Sequence, residues 1–305
     1  MQMYIVLALI LFQSCYLNEN YIIGKFLISS HNKAQRILNS NNVNKDLVDI
    51  YLNDVKVEFF TTIVFPNEGE HTIKYDFKGN LTIMDRLFYQ CDSLISLDLS
   101  HFDASNVVYM DSTFSESKNL QTVNLDNFDA SKVAYMGGLF KGCTSLISLD
   151  LSTFKTSEAL TDTRNMFENC ASLKYLNLDN FNTRNVRVMY YMFIGCKSLE
   201  TLDLSSFNTD NVQKMKYMFA GCSSLTELNI KNFNTKNVGD MNHMFSQCSA
   251  LKTLDLAHFG ISTSADMSYM FAGCTSLKLI ILPKIVSTIS PKNLLSGTNA
   301  KVVYQ

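Results

Sequence analysis

CSSLTELNIKNFNTKNVGDMNHMFSQC, residues 222–248, decides how this chain folds. Its two cysteines stand 26 residues apart, and the same beat runs outward in both directions. The column reads Cys91, Ser117 in the same place, Cys143, Cys170, Cys196, Cys222, Cys248 and Cys274, with one interval, Cys143 to Cys170, of 27. Three residues later stand Leu94, Leu120, Leu146, Leu173, Leu199, Leu225, Leu251 and Leu277. Three residues earlier stand Phe88, Phe114, Phe140, Phe167, Phe193, Phe219, Phe245 and Phe271. A fixed period of this size marks stacked coils, because each unit can bury its apolar face only against its neighbours.

Within the quoted stretch, Leu225, Leu228 and Ile230 follow an L-x-x-L-x-L pattern, whose last two positions point inward from a short strand. Phe233 follows, and Asn234-Thr235-Lys236-Asn237 is a turn by composition. Val238, Met241, Met244, Phe245 and Cys248 then have the spacing of one helix face. The residue before the cysteine is Gly142, Asn169, Gly195, Gly221 or Gly273, types that tolerate the left-handed closure of a helix. The expectation is an α/β solenoid: a right-handed stack of about eight 26-residue coils, with a parallel β-sheet on one face and short helices on the other. The extra residue of the fourth coil predicts a bulge near Ala159 to Asp162.

Residues 84–282 form the repeat. A terminal coil would expose an apolar cross-section, so residues 16–83 read as a capping region: one or two short helices over Ala34 to Leu52, then strands at Val57–Phe65 and Thr72–Phe77 flanking a turn at Pro66. Residues 283–305 read as a C-terminal cap, where Pro283 and Pro291 interrupt the ladder and Lys301–Tyr304 is a candidate closing strand. Residues 1–15 hold the uninterrupted apolar run Tyr4–Phe12, too short to span a bilayer but suited to a signal-peptide core. The alternative is a buried element of the mature protein. Cys15 is a possible lipidation site, which would make the membrane a partner only through an anchor. Hydrophobic content of 47% excludes disorder, and a net charge of −2 argues against nucleic acid as a partner.

The run Met218-Phe219-Ala220-Gly221-Cys222-Ser223-Ser224-Leu225, together with Leu202-Asp203-Leu204-Ser205-Ser206-Phe207-Asn208-Thr209, resembles the BspA-like leucine-rich-repeat surface proteins. It looks most like their MF-x-GC-x-SL-x-x-LDLS-x-FNT-x-x-V-x-x-M sub-type. The resemblance implies a leucine-rich-repeat-like stack on a secreted or cell-surface protein serving adhesion or matrix contact. It brings no catalytic residues.

The residues themselves point the same way. The cysteine file shares its beat with equal files of Leu, Phe and Met, so it reads first as a row of buried thiols, with inter-coil disulfides as the alternative. A straight row does not converge on a metal, and the methionine columns lie on the face of the core. Neither cofactor nor metal is expected. The five histidines are scattered, and no nucleophile motif or phosphate-cradling loop occurs, so no enzyme is expected. The informative polar column lies between the two inward strand positions: Asp98, Asn124, Asp150, Asn177, Asp203, Asn229 and Asp255, alternating without a break. Two readings stand for it. One is electrostatic relief between stacked carboxylates, inherited from a duplicated pair of coils. The other is a ligand-binding strip for a protein or glycan on the exposed sheet face. Thr183, Thr209 and Thr235 form a short row suited to a turn. Asn80-Leu81-Thr82 is a lone glycosylation sequon. The expected function is a secreted or cell-surface binding module; the alternatives are a coat protein assembling end to end and an intracellular repeat scaffold.

Overall fold

The computed structural model describes residues 20–30, 32–289 and 291–305. It is a β-solenoid of eight stacked coils. Each coil contributes one short strand: β7 (Leu94–Asp98), β8 (Thr122–Asn124), β9 (Ser148–Asp150), β10 (Tyr175–Asn177), β11 (Thr201–Asp203), β12 (Glu227–Asn229), β13 (Thr253–Asp255) and β14 (Leu279–Leu282). Before them come β1 (Tyr21–Ile28), β2 (Gln35–Arg36), β3 (Val48–Leu52), β4 (Val55–Val57), β5 (Thr62–Ile63) and β6 (Gly69–Phe77). After them come the four-residue α1 (Val286–Ile289) and β15 (Lys301–Tyr304), which pairs parallel to β14.

The columns lie in single interior files. Leu199, Leu225 and Leu251 are fully buried, as are the phenylalanines from Phe88 to Phe271. Neighbouring rings of that file stack from coil to coil, 5.5 Å apart between Phe167 and Phe193 and 5.6 Å between Phe193 and Phe219. A second file, Phe102, Phe128, Phe154, Phe181 and Phe207, does the same at 5.3 to 6.4 Å. Each stacked pair contributes ~0.5–1.5 kcal/mol beyond its burial.

Among the described residues the expected helices opposite the sheet are not there. In the sixth coil, the N–H groups of Met215, Tyr217, Phe219 and Gly221 donate to carbonyls of the next coil. Those of Met218, Ala220 and Cys222 donate three residues back. An α-helix would send every one of them four residues back. Two residues per coil, four apart, take a left-handed backbone: Tyr217 (φ 55°) and Gly221 (φ 72°) in this coil. A positive φ at the third position, closed by an i to i+3 bond, makes a type II turn, so the segment is a run of tight turns. Such a run buries positions i, i+3, i+4 and i+7 just as a helix does. The spacing was real and its cause was different. Turns win because they leave every second N–H free to join the next coil, which a helix cannot do.

The N-terminal cap differs too. Among the described residues no helix occupies 34–52; β2 and β3 lie there instead. The continuous strand expected over Val57–Phe65 is broken into the end of β4 and the short β5. The strand β1 alternates buried Ile22, Phe26 and Ile28 with outward residues, pairs antiparallel with β6 on one side, and on the other pairs antiparallel with β7. A six-stranded sheet in the order β4-β3-β6-β1-β7-β8 thus continues the solenoid's sheet into its cap. The extra residue of the fourth coil is absorbed slightly earlier than expected. Thr156 N–H closes on the Phe154 carbonyl at 2.9 Å, and the repeat is back in step by Leu160 and the Tyr135–Asp162 bridge.

Candidate functional site

The two faces of the solenoid are bonded differently. Opposite the sheet, single bridges join every successive coil from Ile83 and Tyr109 through to Asp240 and Asp266. On the sheet face the coils pair off. Ladders join β7 to β8, β9 to β10, β11 to β12 and β13 to β14. Among the described residues no ladder joins β8 to β9, β10 to β11 or β12 to β13. The flanking bonds keep the same rhythm: Leu99, Leu151, Leu204 and Leu256 N–H each donate to the partner coil at 2.8–2.9 Å.

The Asp/Asn column follows that pairing. Asp98 sits opposite Asn124, Asp150 opposite Asn177, and Asp203 opposite Asn229, each within a ladder, while Asp255 faces Ile281. In each of the first seven coils the side-chain Oδ1 accepts the N–H two residues on: Ser100 onto Asp98, Asp126 onto Asn124, Ser152 onto Asp150, Asp179 onto Asn177, Ser205 onto Asp203, Lys231 onto Asn229 and Ala257 onto Asp255. These are Asx turns, which close the corner after the strand. The Asn229 amide also donates to Asp203 Oδ2 at 3.1 Å. Bonds from Ser152, with help from Asn177, hold the Asp150 carboxyl below its usual range, and bonds from Ser205 and Asn229 do the same for Asp203. The column is therefore a working part of the fold in those seven coils, and it is half-exposed or exposed throughout.

The sheet face carries two hollows. One of about 540 Å³ runs from β1 and β7 across β8 to β9, rimmed by Asp98, Asn124 and Asp150. Another of about 420 Å³ lies between β12 and β13, rimmed by Asn229 and Asp255. Two apolar side chains that packing does not call for stand beside the first: Tyr175 is 54% exposed and Ile147 is 49% exposed, on adjacent coils. Their columns otherwise hold mainly Ser, Thr, Glu, Lys and Gln. Neither stood out in the sequence, since single exposed hydrophobics are common.

The remaining sequence candidates have clear places in the fold. The cysteines from Cys91 to Cys274 are free and buried. Six donate to the carbonyl of a phenylalanine in the coil before, Cys222 to Phe193 at 3.1 Å for example, and Ser117 Oγ does so to Phe88 at 2.6 Å. Burial pushes the Cys222 thiol up to about 12 and the Cys274 thiol up to about 11, so neither is a ready nucleophile. Thr183, Thr209 and Thr235 are buried and bond backbone carbonyls of the next coil. Asn80 is exposed, with its amide donating to Asp103 at 2.7 Å. Cys15 lies outside the described residues, as does the apolar run before it. Among the described residues no cluster of three or more His, Cys, Asp or Glu could hold a metal ion. A polar cleft of about 490 Å³ opens opposite the sheet over the glycine floor of Gly137 and Gly138, where burial raises the carboxyls of Asp85 and Asp111.

These coils, files and pairings define a leucine-rich-repeat-like β-solenoid. The chain belongs to the family described as "Mycoplasma protein of unknown function, DUF285", which matches residues 59–175 and 161–282. Among solved structures, a leucine-rich repeat protein from Bacteroides ovatus ATCC 8483 is 18% identical over 72% of this chain and 61% of its own, with a TM-score of 0.34. A second, the TLR13–ssRNA13 complex, is 15% identical over 73% of this chain and 47% of its own, with a TM-score of 0.19. The chain thus spans about three fifths of the first and under half of the second. Scores this low say nothing of what the chain binds. No curated protein matches the chain.

Proposed function

We propose that this chain is a non-catalytic recognition module, secreted or held at a cell surface in the manner of the BspA-like repeat proteins it resembles, and that its sheet face binds a protein partner. The observation that carries the reading is the pair Tyr175 and Ile147, exposed at the middle of an otherwise polar face beside an open hollow. A tyrosine anchor with an aliphatic neighbour and a polar rim is the usual composition of a binding hot spot. The Asp/Asn column forms part of that rim, and its fixed carbonyl and carboxylate oxygens set the register of a partner's donors. The apolar leader of residues 4–12 supports an extracellular destination.

Two measurements test this. N-terminal sequencing of the mature protein should find the leader removed; an intact Met1 would place the module inside the cell. Biolayer interferometry of the full mature chain against a panel of extracellular matrix and cell-surface proteins should find a binder. The double variant Tyr175→Ser, Ile147→Ser should lose that binding while its melting temperature stays the same. Binding that survives the double variant removes the sheet face from the proposal.

A further inference from the structure

The turn side of coils five to eight carries a second feature that packing leaves unexplained. The first left-handed position of each coil reads Arg86, Ser112, Gly138, Asn165, Tyr191, Tyr217, His243 and Tyr269. The last four hold φ between 54° and 60°, a backbone that bulky side chains adopt only at a cost and that Asn165 and Gly138 adopt more easily. Arg86 and Ser112 hold the same backbone, so the turn imposes it in every coil, and what sets these four coils apart is the unbroken run of rings placed on it. The four rings form a ladder, with centroids 5.2, 4.4 and 4.9 Å apart in order.

Four residues further on, the second left-handed position makes the opposite choice. It holds Gly195, Gly221 and Gly273, although Gln247 and Asn169 take the same backbone with full side chains. Left-handed geometry therefore does not explain the glycines; packing explains Gly195, where a Cβ would collide with the Asn169 side chain, but leaves room for a Cβ at Gly221 and Gly273. The two choices together cut a groove of about 630 Å³ along the solenoid axis. Its floor is Gly195, Ala220, Gly221 and Gly273, crossed by the Gln247 side chain between the last two glycines; one wall is Tyr217 and His243, and the other is Ser223 and Ser249.

The lining selects the occupant. Among the described residues no acid lines the groove, and Lys197 is its one fixed cation. The floor's N–H groups already donate to the next coil, Gly195 to Ala220, Gly221 to Ser246 and Gly273 to Ser296, so a peptide could not add itself as a strand. What remains is C–H surface below, ring edges on one side and hydroxyl and amide groups above. A chain of sugars presents that same alternation of C–H and hydroxyl, and the coil spacing of ~4.8 Å is close to the length of one pyranose unit. We infer that this groove binds a linear, neutral polysaccharide lying along the solenoid axis. The site is separate from the sheet face and does not rest on it.

The test is isothermal titration of the full mature chain with neutral hexasaccharides (cello-, malto-, laminari-, chito- and mannohexaose), with heparin and a mixture of extended peptides as alternatives. At least one neutral hexasaccharide should bind. The double variant Tyr217→Asn, His243→Asn removes the rings yet suits the left-handed backbone, so it should fold at least as well and bind at least tenfold more weakly. Gly221→Gln, which fills the floor as Gln247 does, should weaken binding similarly. Tyr175→Ser should leave the glycan affinity unchanged. The inference is overturned if no neutral hexasaccharide binds, if heparin or peptide binds in its stead, or if the ring-free variant keeps full affinity.

Discussion

The two long faces of this solenoid repeat with different periods. The turn face repeats with every coil, joined by an unbroken series of bridges, while the sheet face repeats with every second coil. Both are built from the same chain and the same interior files, so the difference comes from side chains outside the core. On the turn side, backbone groups carry the join, and the same left-handed corner recurs from Arg86 to Tyr269 under very different side chains. On the sheet side, Asn alternates with Asp, and an amide can donate to a carboxylate where a second carboxylate would repel it. The Asn229 amide makes that donation to Asp203 across the β11–β12 ladder, whereas β13 and β14 pair with Ile281 opposite Asp255, so the amide supports a ladder without being what every ladder requires.

The largest expected effect tests the one-coil period. Phe193 and Phe219 occupy the first and second coil of one sheet pair, and both are fully buried. Replacing either with alanine should cost ~3–5 kcal/mol in urea denaturation. The two losses should agree within about 1 kcal/mol, inside the normal scatter of core truncations. A large and consistent gap between first and second coils would mean that the pairing reaches into the core.

The next effect concerns the one place where the cysteine file is interrupted. Ser117 Oγ both donates to the Phe88 carbonyl and accepts the Cys91 N–H at 3.0 Å, all of it buried. Ser117→Ala leaves that N–H without its acceptor and should cost about 1–3 kcal/mol. Ser117→Cys restores the donor of the other coils and should cost less. Equal losses for the two variants would show that the hydroxyl's bonds are not what the position needs.

Much of this was legible in the sequence, and the limits are instructive. The period, the interior files and the strand positions follow from Leu, Phe and Cys columns, because stacked coils repeat their packing. The helices could not be told from turns, because Met241, Met244, Phe245 and Cys248 have a spacing common to both. The Gly or Asn before five of the cysteines marked one left-handed residue in those coils, while Gln90 and Gln247 take the same backbone without that signal. The second, at Tyr217 or His243, gave no warning, since its side chains are ones that normally avoid that backbone. In the cap, Tyr21–Ile28 alternates as a strand should, yet it follows closely on the apolar run Tyr4–Phe12 and its boundary is hard to see there. The Asp/Asn rhythm was visible from the start. Its meaning was not, because which coils form ladders is a long-range fact that no local pattern states. The sheet-face site was half legible: the rim was named by its column, while Tyr175 and Ile147 needed the fold to reveal that nothing covers them.

The two-coil period is tested directly by removing its amides. Asn177→Asp and Asn229→Asp each lose a donor toward the paired carboxylate and set two like charges one strand spacing apart. Each should destabilise by about 1 kcal/mol at low ionic strength, and less at high salt, since the groups are near water. Circular dichroism melts with and without added salt would read this; an unchanged melting temperature would reduce the alternation to a relic of duplication.

The smallest effect is a pH dependence, and it has two opposed parts. Asp150 and Asp203 are lowered in the fold by bonds from Ser152 and Ser205, so their contribution is present above the unfolded value of ~3.9 and is lost as pH falls from there through their folded values. Asp85 and Asp111 are raised by burial opposite the sheet, so their charged forms weigh against the fold at neutral pH and that penalty is relieved as pH falls through the raised values. The denaturation midpoint should therefore rise slightly on mild acidification and drop only below about pH 4. Asp150→Asn with Asp203→Asn should blunt the drop, and Asp85→Asn should remove part of the rise. If the sheet-face variants altered the rise, or Asp85→Asn altered the drop, the assignment of each limb to its own face would fail.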